Sequence, residues 1–398
     1  MSARVVVLGT SFAGMTAALH VKQVLGADAD VTVVAPHDRF VFNPSLIWLP
    51  FGKRSAGNIS FPVARTYAKQ DVQLVRAAAT RIDPESHQVQ TTDGTLDYDY
   101  LVIATGYRND LDLVPGMREA HTITTLPAAQ KTAVAWQQFL ADPGDVVIGA
   151  TQRASCFGAA YEFLFNTAHQ LRKANLNGRV RLTYVTAEPY PGHFGIDGMF
   201  GAQALMKMFT KQLGIKVVTN ASMSKLLPDA VVLEDGRELS HRFAMIVPPF
   251  RGQDFLAETP GLVDAGGYVP VRDTYQSEKW DDIYAVGIAA AVPVPWTTAV
   301  ATGIPKTGFP SEQQAHIAAK NIIDQVSGRE PATRREFAKI PALCIMDAGN
   351  NGVTLIGDSM LPPRRLSLMI PGPQNHAFKV AFEKYSLAKM RAGKVRLP

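Results

Sequence analysis

Cys156 and Cys344 are the only two cysteines in this chain of 398 residues. Two thiols far apart in sequence are usually inert core filler. On a redox scaffold the same pair can work as a couple, by attack of a thiolate on a disulfide sulfur. Cys156 stands in Ala154-Ser155-Cys156-Phe157-Gly158, just ahead of a helical stretch that carries Tyr161 and Glu162. A helix N-terminus lowers a thiol pKa and favours thiolate. Taken by itself, Cys156 is equally a buried inert cysteine. Cys344 follows Pro341-Ala342-Leu343 in the C-terminal part of the chain.

The elements that must position these thiols are legible around them. Arg4 to Leu8 is an apolar, β-branched strand that runs into Gly9-Thr10-Ser11-Phe12-Ala13-Gly14 and a helix to about Leu25. A second strand follows from Val31 to Ala35. The amides and dipole of such a helix start bind a pyrophosphate. Two positions depart from the full fingerprint: Ser11 replaces the middle glycine, and Ala35 stands where an acidic residue often holds the ribose. Two later strands end in turns, Tyr100 to Ala104 at Thr105-Gly106, and Asp282 to Val286 at Gly287-Ile288.

The βαβ logic repeats from about Asp145 to Phe250. Val146 to Gly149 is a strand, a helix begins near Gly158, and Val180 to Thr186 is the next strand, followed by Glu188. Between strand and helix lies Ala150 to Phe157, too long for a compact nucleotide turn and carrying Cys156. Further on, Gly303-Ile-Pro-Lys306-Thr307-Gly308 leads into a helix from about Ser311 to Ile323. A lysine and a helix start there would stabilise an anionic reduced ring; an ordinary cap with an exposed lysine is the alternative. Pro331 to Glu336 reads as a linker, and Val353 to Ile356 as a short strand.

Composition sets limits. The length suits two or three domains. Apolar residues make up 46% and charged residues 19%, which describes a folded globular protein. Two cysteines cannot build a secreted disulfide scaffold. No signal peptide is seen at the N-terminus, and no apolar run reaches the ~18–20 residues of a membrane span. A net charge of +5 is weak support for nucleic acid, and no nucleic-acid partner is expected. The last twenty residues carry Lys379, Lys384, Lys389, Arg391, Lys394 and Arg396 against the single Glu383, near Phe378, Phe382 and Tyr385. This segment reads either as a solvated helix with one packed face or as a basic amphipathic element on an anionic membrane.

Taken together, these stretches resemble the sulfide:quinone oxidoreductases, a branch of the flavoproteins with two dinucleotide-binding domains. The resemblance covers nearly the whole chain. It rests on Phe42-Asn43-Pro44-Ser45 with Trp48, Ser155-Cys156-Phe157-Gly158 with Tyr161-Glu162, Glu188-Pro-Tyr190 with Gly192-His193, Gly287-Ile288, Pro305-Lys306-Thr307-Gly308, the Cys344 segment, and Phe382-Glu383-Lys384-Tyr385. It implies an α/β fold with two tandem Rossmann-like domains, as in glutathione reductase, plus a C-terminal region facing membrane and quinone. The expected divisions are 1–115 and 256–330 for the FAD-binding domain, 116–255 for the second Rossmann-like domain with Cys156, and 331–398 for the region with Cys344.

The resemblance also implies roles. Cys156 and Cys344 form a disulfide or sulfur-bridged pair that hydrosulfide attacks, with electrons passing to FAD and on to a membrane quinone, and sulfane sulfur or polysulfide as product. Glu162 and His193 handle protons. FAD is held by Gly9, Ser11, Phe12, Ala13, Gly14, Ala35, Asn43, Ala78, Ala79, Thr105, Gly106, Gly287, Ile288, Lys306, Thr307 and Gly308. Phe42, Phe382 and Tyr385 face the quinone, in an apolar slot that suits its ring. No metal is expected. The implied location is peripheral, on the bacterial inner membrane, with a homo-oligomer possible. One departure stands out: many members carry a third cysteine where this chain has Thr124. Alternative readings are a sulfide dehydrogenase passing electrons to cytochrome c, a type II NADH:quinone oxidoreductase, and a non-catalytic sulfur-sensing flavoprotein.

Overall fold

The computed structural model describes residues 2–397. Seven α-helices follow one another: α1 (Phe12–Leu25), α2 (Ala64–Lys69), α3 (Leu126–Ala141), α4 (Phe157–Lys173), α5 (Ala202–Gln212), α6 (Gly308–Val326) and α7 (Gln374–Arg391). The first sheet has five strands in the order Ile283–Ala285, Tyr100–Ile103, Ala3–Leu8, Ala29–Val34 and Gln73–Val75. Every pairing in it is parallel. Its inner strands Ala3–Leu8 and Ala29–Val34 are rich in β-branched residues and largely buried, as a parallel sheet between helices requires. Val5, Val7, Val31 and Val33 meet Met15, Leu19, Ala315 and Ile322 in one core. The chain leaves this sheet near Ile103 and returns 180 residues later at Ile283, so the two late turns read in the sequence converge on α1.

The second parallel sheet has four strands, Lys216–Val218, Leu182–Thr186, Val146–Ala150 and Phe243–Val247. The C-terminal part adds a three-stranded antiparallel sheet, Ala342–Asp347, Gly352–Gly357 and Ser367–Pro371. Met346, Val353 and Leu355 from this sheet share a core with Tyr161, Leu164 and Tyr184 of the second parallel sheet and its helix. That packing brings the Cys344 strand against the start of α4, and so brings the two cysteines together.

Helix α7 departs from the expected amphipathic pattern. The residues it buries are Asn375, Lys379, Glu383, Ser386, Leu387, Lys389 and Met390, while Phe378, Phe382 and Tyr385 are exposed. The polar stripe is inside because its charges have buried partners. Lys379 pairs with Glu162, Lys389 with Glu312 at 2.6 Å, and Glu383 with Arg54 at 2.9 Å. Two of the six cations in the basic segment are thus core ion pairs. Among the described residues no helix is long and apolar enough to cross a membrane.

Candidate active site

A cavity of about 920 Å³ runs between the two parallel sheets and the C-terminal part. Its walls take in Ser11, Phe12 and Ala13 from the start of α1, Gly106, the Gly287-Ile288 turn, and Lys306, Thr307 and Gly308 at the start of α6. Cys156, Glu162, Cys344 and Lys379 line it as well, together with Phe382 and Tyr385.

The dinucleotide end is shaped by absent side chains. A Cβ on Gly9 would fall 2.3 Å from the Ala104 carbonyl oxygen, and one on Gly14 would fall 2.1 Å from that of Gly9. Strand, turn and helix therefore touch through backbone, which leaves the α1 amides open toward the cavity. Gly287 has φ +69°, and its N–H donates to the Gln314 side chain at 2.6 Å. The Gln314 Nε2 and Thr105 Oγ1 atoms are buried without a protein partner. Open amides, orphaned polar atoms and two converging helix N-termini fit a bound dinucleotide. Lys306 donates to the carbonyls of Ile288 and Ala290, both at 2.8 Å, and lies 3.7 Å from the Tyr268 ring centre. Burial pushes its ammonium down to about 7. Gly9, Gly14, Ala35, Ala78, Ala79 and Thr105 lie outside the cavity wall. Ala35 is buried at the end of its strand, with its N–H on Val75.

The thiol end carries a buried charge network. Cys156 is the N-cap of α4, and Cys344 opens onto the cavity from its strand; both are free thiols. The helix start does not win at Cys156. Enclosure pushes Cys156 up to about 11, outweighing the Ala159 N–H that acts the other way. Cys344 is pushed up to about 12, by enclosure first and then by the Glu162 carboxylate. The Cys344 side chain is exposed where it lines the cavity. Lys379 lowers both thiols.

Glu162 accepts from the Asp347 N–H at 2.8 Å and from the Lys379 ammonium. Burial dominates its acidity and raises it to about 7, against the pull of Lys379. Asp347 is held in turn by Trp48 Nε1–H at 2.8 Å and His376 at 2.6 Å. This carboxylate stays ionised below its usual range, because its hydrogen bonds and Lys379 outweigh desolvation. The network holds one proton acceptor that titrates near neutrality and one cation, both beside the thiols.

Sequence reasoning missed Lys379 and Asp347. Lys379 was counted with the basic tail; the one signal for it was its place on the helix stripe opposite Phe378, Phe382 and Tyr385. Two further predicted site residues, one for proton handling and one for the quinone, also lie off the cavity wall. His193 is fully buried outside the cavity wall, where its Nδ1 accepts the Gly195 N–H at 3.2 Å and its ring meets Trp296 edge-on. Phe42 is also fully buried; it packs behind Phe382 with ring centres 5.8 Å apart, so it backs the slot rather than facing it. Thr124 does line the cavity, and its hydroxyl is bonded to the Asn109 side chain at 2.9 and 3.0 Å.

The second nucleotide turn is closed by its own side chains. Gln152 bonds the backbone N–H and carbonyl of Met223, both at 3.0 Å. Glu188 sits where a ribose-binding carboxylate would stand. It is buried and accepts from Tyr161, Thr186 and Tyr184 hydroxyls and from the Phe194 N–H. Fully buried and committed to these four donors, it is not presented to a ribose.

Comparison with known proteins agrees with this geometry. Residues 3–303 match the family model described as pyridine nucleotide-disulphide oxidoreductase. The chain is 32% identical to a sulfide-quinone reductase of Aquifex aeolicus, over 99% of this chain and 93% of that protein. The X-ray structure of the sulfide:quinone oxidoreductase from Aquifex aeolicus superposes with a TM-score of 0.94 at 33% identity, covering 98% of this chain and 92% of that one. A type II NADH:quinone oxidoreductase of Staphylococcus saprophyticus is more distant, at 25% identity over 89% of each chain.

Proposed function

Since the chain belongs to the pyridine nucleotide-disulphide oxidoreductases, and within them to the FAD-dependent sulfide:quinone oxidoreductases, we propose that Cys156 and Cys344 are the thiols that take sulfide. The observation that supports this is one cavity lined by both thiols, the Lys379–Glu162 pair and the dinucleotide cradle. In the oxidised pair, hydrosulfide attacks one sulfur of a disulfide or sulfur bridge. A persulfide forms on one cysteine and the other leaves as thiolate. Glu162 takes the proton released by the attacking sulfur, and the Lys379 ammonium stabilises the outgoing thiolate. FAD, when bound, supplies the two-electron relay between this sulfur chemistry and the quinone.

The acceptor side is the apolar end of the same cavity. Phe382 and Tyr385 line it, and Phe42 fixes the Phe382 ring from behind. Phe382→Ala is expected to slow flavin reoxidation by a short-chain quinone on the order of ten-fold, while reduction by sulfide keeps its rate. Stopped-flow absorbance reads the two half-reactions separately; equal reoxidation in variant and parent would reject this slot.

Phe378 and Phe382 of α7 are exposed, as are Leu366, Leu368 and Ile370 on or beside the strand Ser367–Pro371. Lys384, Arg391, Lys394 and Arg396 of the same C-terminal segment are exposed as well. Exposed apolar side chains with cations in the same segment suit an anionic bilayer surface. Deleting the tail would remove Met390 from the core, so substitution is the cleaner probe. Leu368→Ser with Phe378→Ser is expected to cut binding to anionic liposomes several-fold at low salt. Undiminished co-sedimentation would refute the docking face.

The test of the whole reading is anaerobic titration with sulfide, followed by quinone. Full bleaching by sulfide and recovery on quinone is the expected result. Bleaching by NADH alone, or recovery only with cytochrome c, would overturn it.

A further inference from the structure

A second cavity of about 660 Å³ lies behind the Cys344 strand. It is lined by Phe165, His169, Arg172 and Lys173 of α4, by Phe209 of α5, and by the loop after Met346. Met346 lines both cavities. It follows Cys344 by two residues, on the same side of the strand. Its sulfur also comes within 3.9 Å of where a Cβ on Gly158 would sit, two residues after Cys156. The flexible Met346 side chain is thus shared by the walls of the thiol chamber and of the second space.

Arg172 and Lys173 make that space cationic, while burial and the neighbouring Lys53 and Arg172 hold the His169 imidazole toward its neutral form. His169, Arg172 and Lys173 line it, and Lys53 stands at its rim, donating to Asn166 at 3.0 Å and to the Gly349 carbonyl at 3.3 Å. Among the described residues, no carboxylate pairs with Arg172 or Lys173. Asp347 is the one acid on the wall, and its oxygens are taken by Trp48, His376 and the Gly349 N–H. The rim is also fixed in place. Gly349 has φ +95°, and a Cβ there would fall 2.5 Å from the His169 ring, so the loop rests directly on α4.

We propose that this second cavity is the port for anionic sulfur, through which hydrosulfide enters and short polysulfide leaves, with Met346 as its gate. The inference rests on the proposed sulfide chemistry and adds its route. The cations concentrate an anion at the mouth. The Phe165, Phe209 and Met346 walls suit a polarisable sulfur chain. A thioether bends aside more readily than a branched side chain, because it has unbranched, freely rotating bonds.

The test uses reduced holoenzyme and two alkylating reagents of similar size, anionic iodoacetate and neutral iodoacetamide. Labelling of Cys156 and Cys344 is read by peptide mass. In the Arg172→Glu, Lys173→Glu double variant, the iodoacetate to iodoacetamide rate ratio is expected to fall about ten-fold at low ionic strength, and to recover in high salt. A control reversal at exposed positions away from the cavity, Lys131→Glu with Lys225→Glu, should leave the ratio unchanged. Met346→Ala should speed both reagents, and Met346→Trp should slow both. The kcat/KM for sulfide should follow the iodoacetate rate, with the quinone KM unmoved. An unchanged ratio in the double variant, or a fall matched by the control, overturns the port. Because the alkylation ratio needs no turnover, it reads the port even if sulfide fails to reduce the wild-type flavin, which would instead overturn the proposed function.

Discussion

Cys344→Ala is expected to leave the flavin oxidised in the presence of excess sulfide, and Cys156→Ala to do the same. Rates of reduction should fall on the order of a thousand-fold or more, since members of a unit that forms a covalent intermediate are not replaceable one at a time. No third thiol exists in the chain to take over. Thr124 lines the same cavity, but its hydroxyl is committed to Asn109 and is no sulfur acceptor. Neither alanine should expel the cofactor, because the cradle is built by Gly9, Gly14, Gly287 and the starts of α1 and α6, on the other parallel sheet. Stopped-flow absorbance gives the rate, and an unaltered flavin spectrum gives the control. Reduction of either variant at the wild-type rate would reject the thiol couple.

The same two residues show how far the sequence could be read. The strand-glycine-helix units, the two returning turns and the Cys156 loop were all legible, because local patterns set them: β-branched runs, glycine at forced backbone contacts, a turn too long for a nucleotide. The strand around Cys344 was not read in the sequence, since Ala342–Asp347 alternates poorly and packs Met346 into the core shared with α4. The acidity of the thiols was not legible at all. A helix start predicts thiolate, yet enclosure pushes Cys156 up to about 11, and enclosure depends on walls drawn from distant segments. His193 and Phe42 were misplaced for a related reason. Proximity in sequence to site residues does not say which side of a wall a side chain occupies. In α7 the pattern left two readings open, because helical spacing shows a stripe but not which stripe is inside. Three buried partners, Glu162, Arg54 and Glu312, come from elsewhere in the chain and turn the charged stripe inward.

Lys379 therefore has the largest expected effect outside the thiols. Its side chain is buried against Glu162 and lies 5.5 Å from the Trp48 ring centre. Lys379→Met leaves the Glu162 carboxylate enclosed without its cation, an arrangement that costs about 3–5 kcal/mol at a pH where that carboxylate stays ionised. Removing Glu162 as well relieves that cost, so Glu162→Gln combined with Lys379→Met should recover much of the lost stability. Chemical denaturation of the four proteins in the cycle measures it, and additive losses would show that the two groups act apart. The pH dependence has a definite sign. Burial raises Glu162 from 4.5 to about 7, so the folded protein holds that proton more tightly than the unfolded chain. Its contribution to stability is complete below about 4.5 and is lost as pH rises toward 7. Catalysis runs the other way. As a base, Glu162 works only when ionised, so the rate of flavin reduction by sulfide, expressed per concentration of hydrosulfide so that the nucleophile's own titration drops out, should fall as pH drops through 7. In Glu162→Gln that inflection should vanish at a much lower rate. In Lys379→Met it should move to higher pH, since the cation that lowers Glu162 and both thiols is gone. An inflection that stays near 7 in Glu162→Gln would place the proton acceptor elsewhere on the cavity wall.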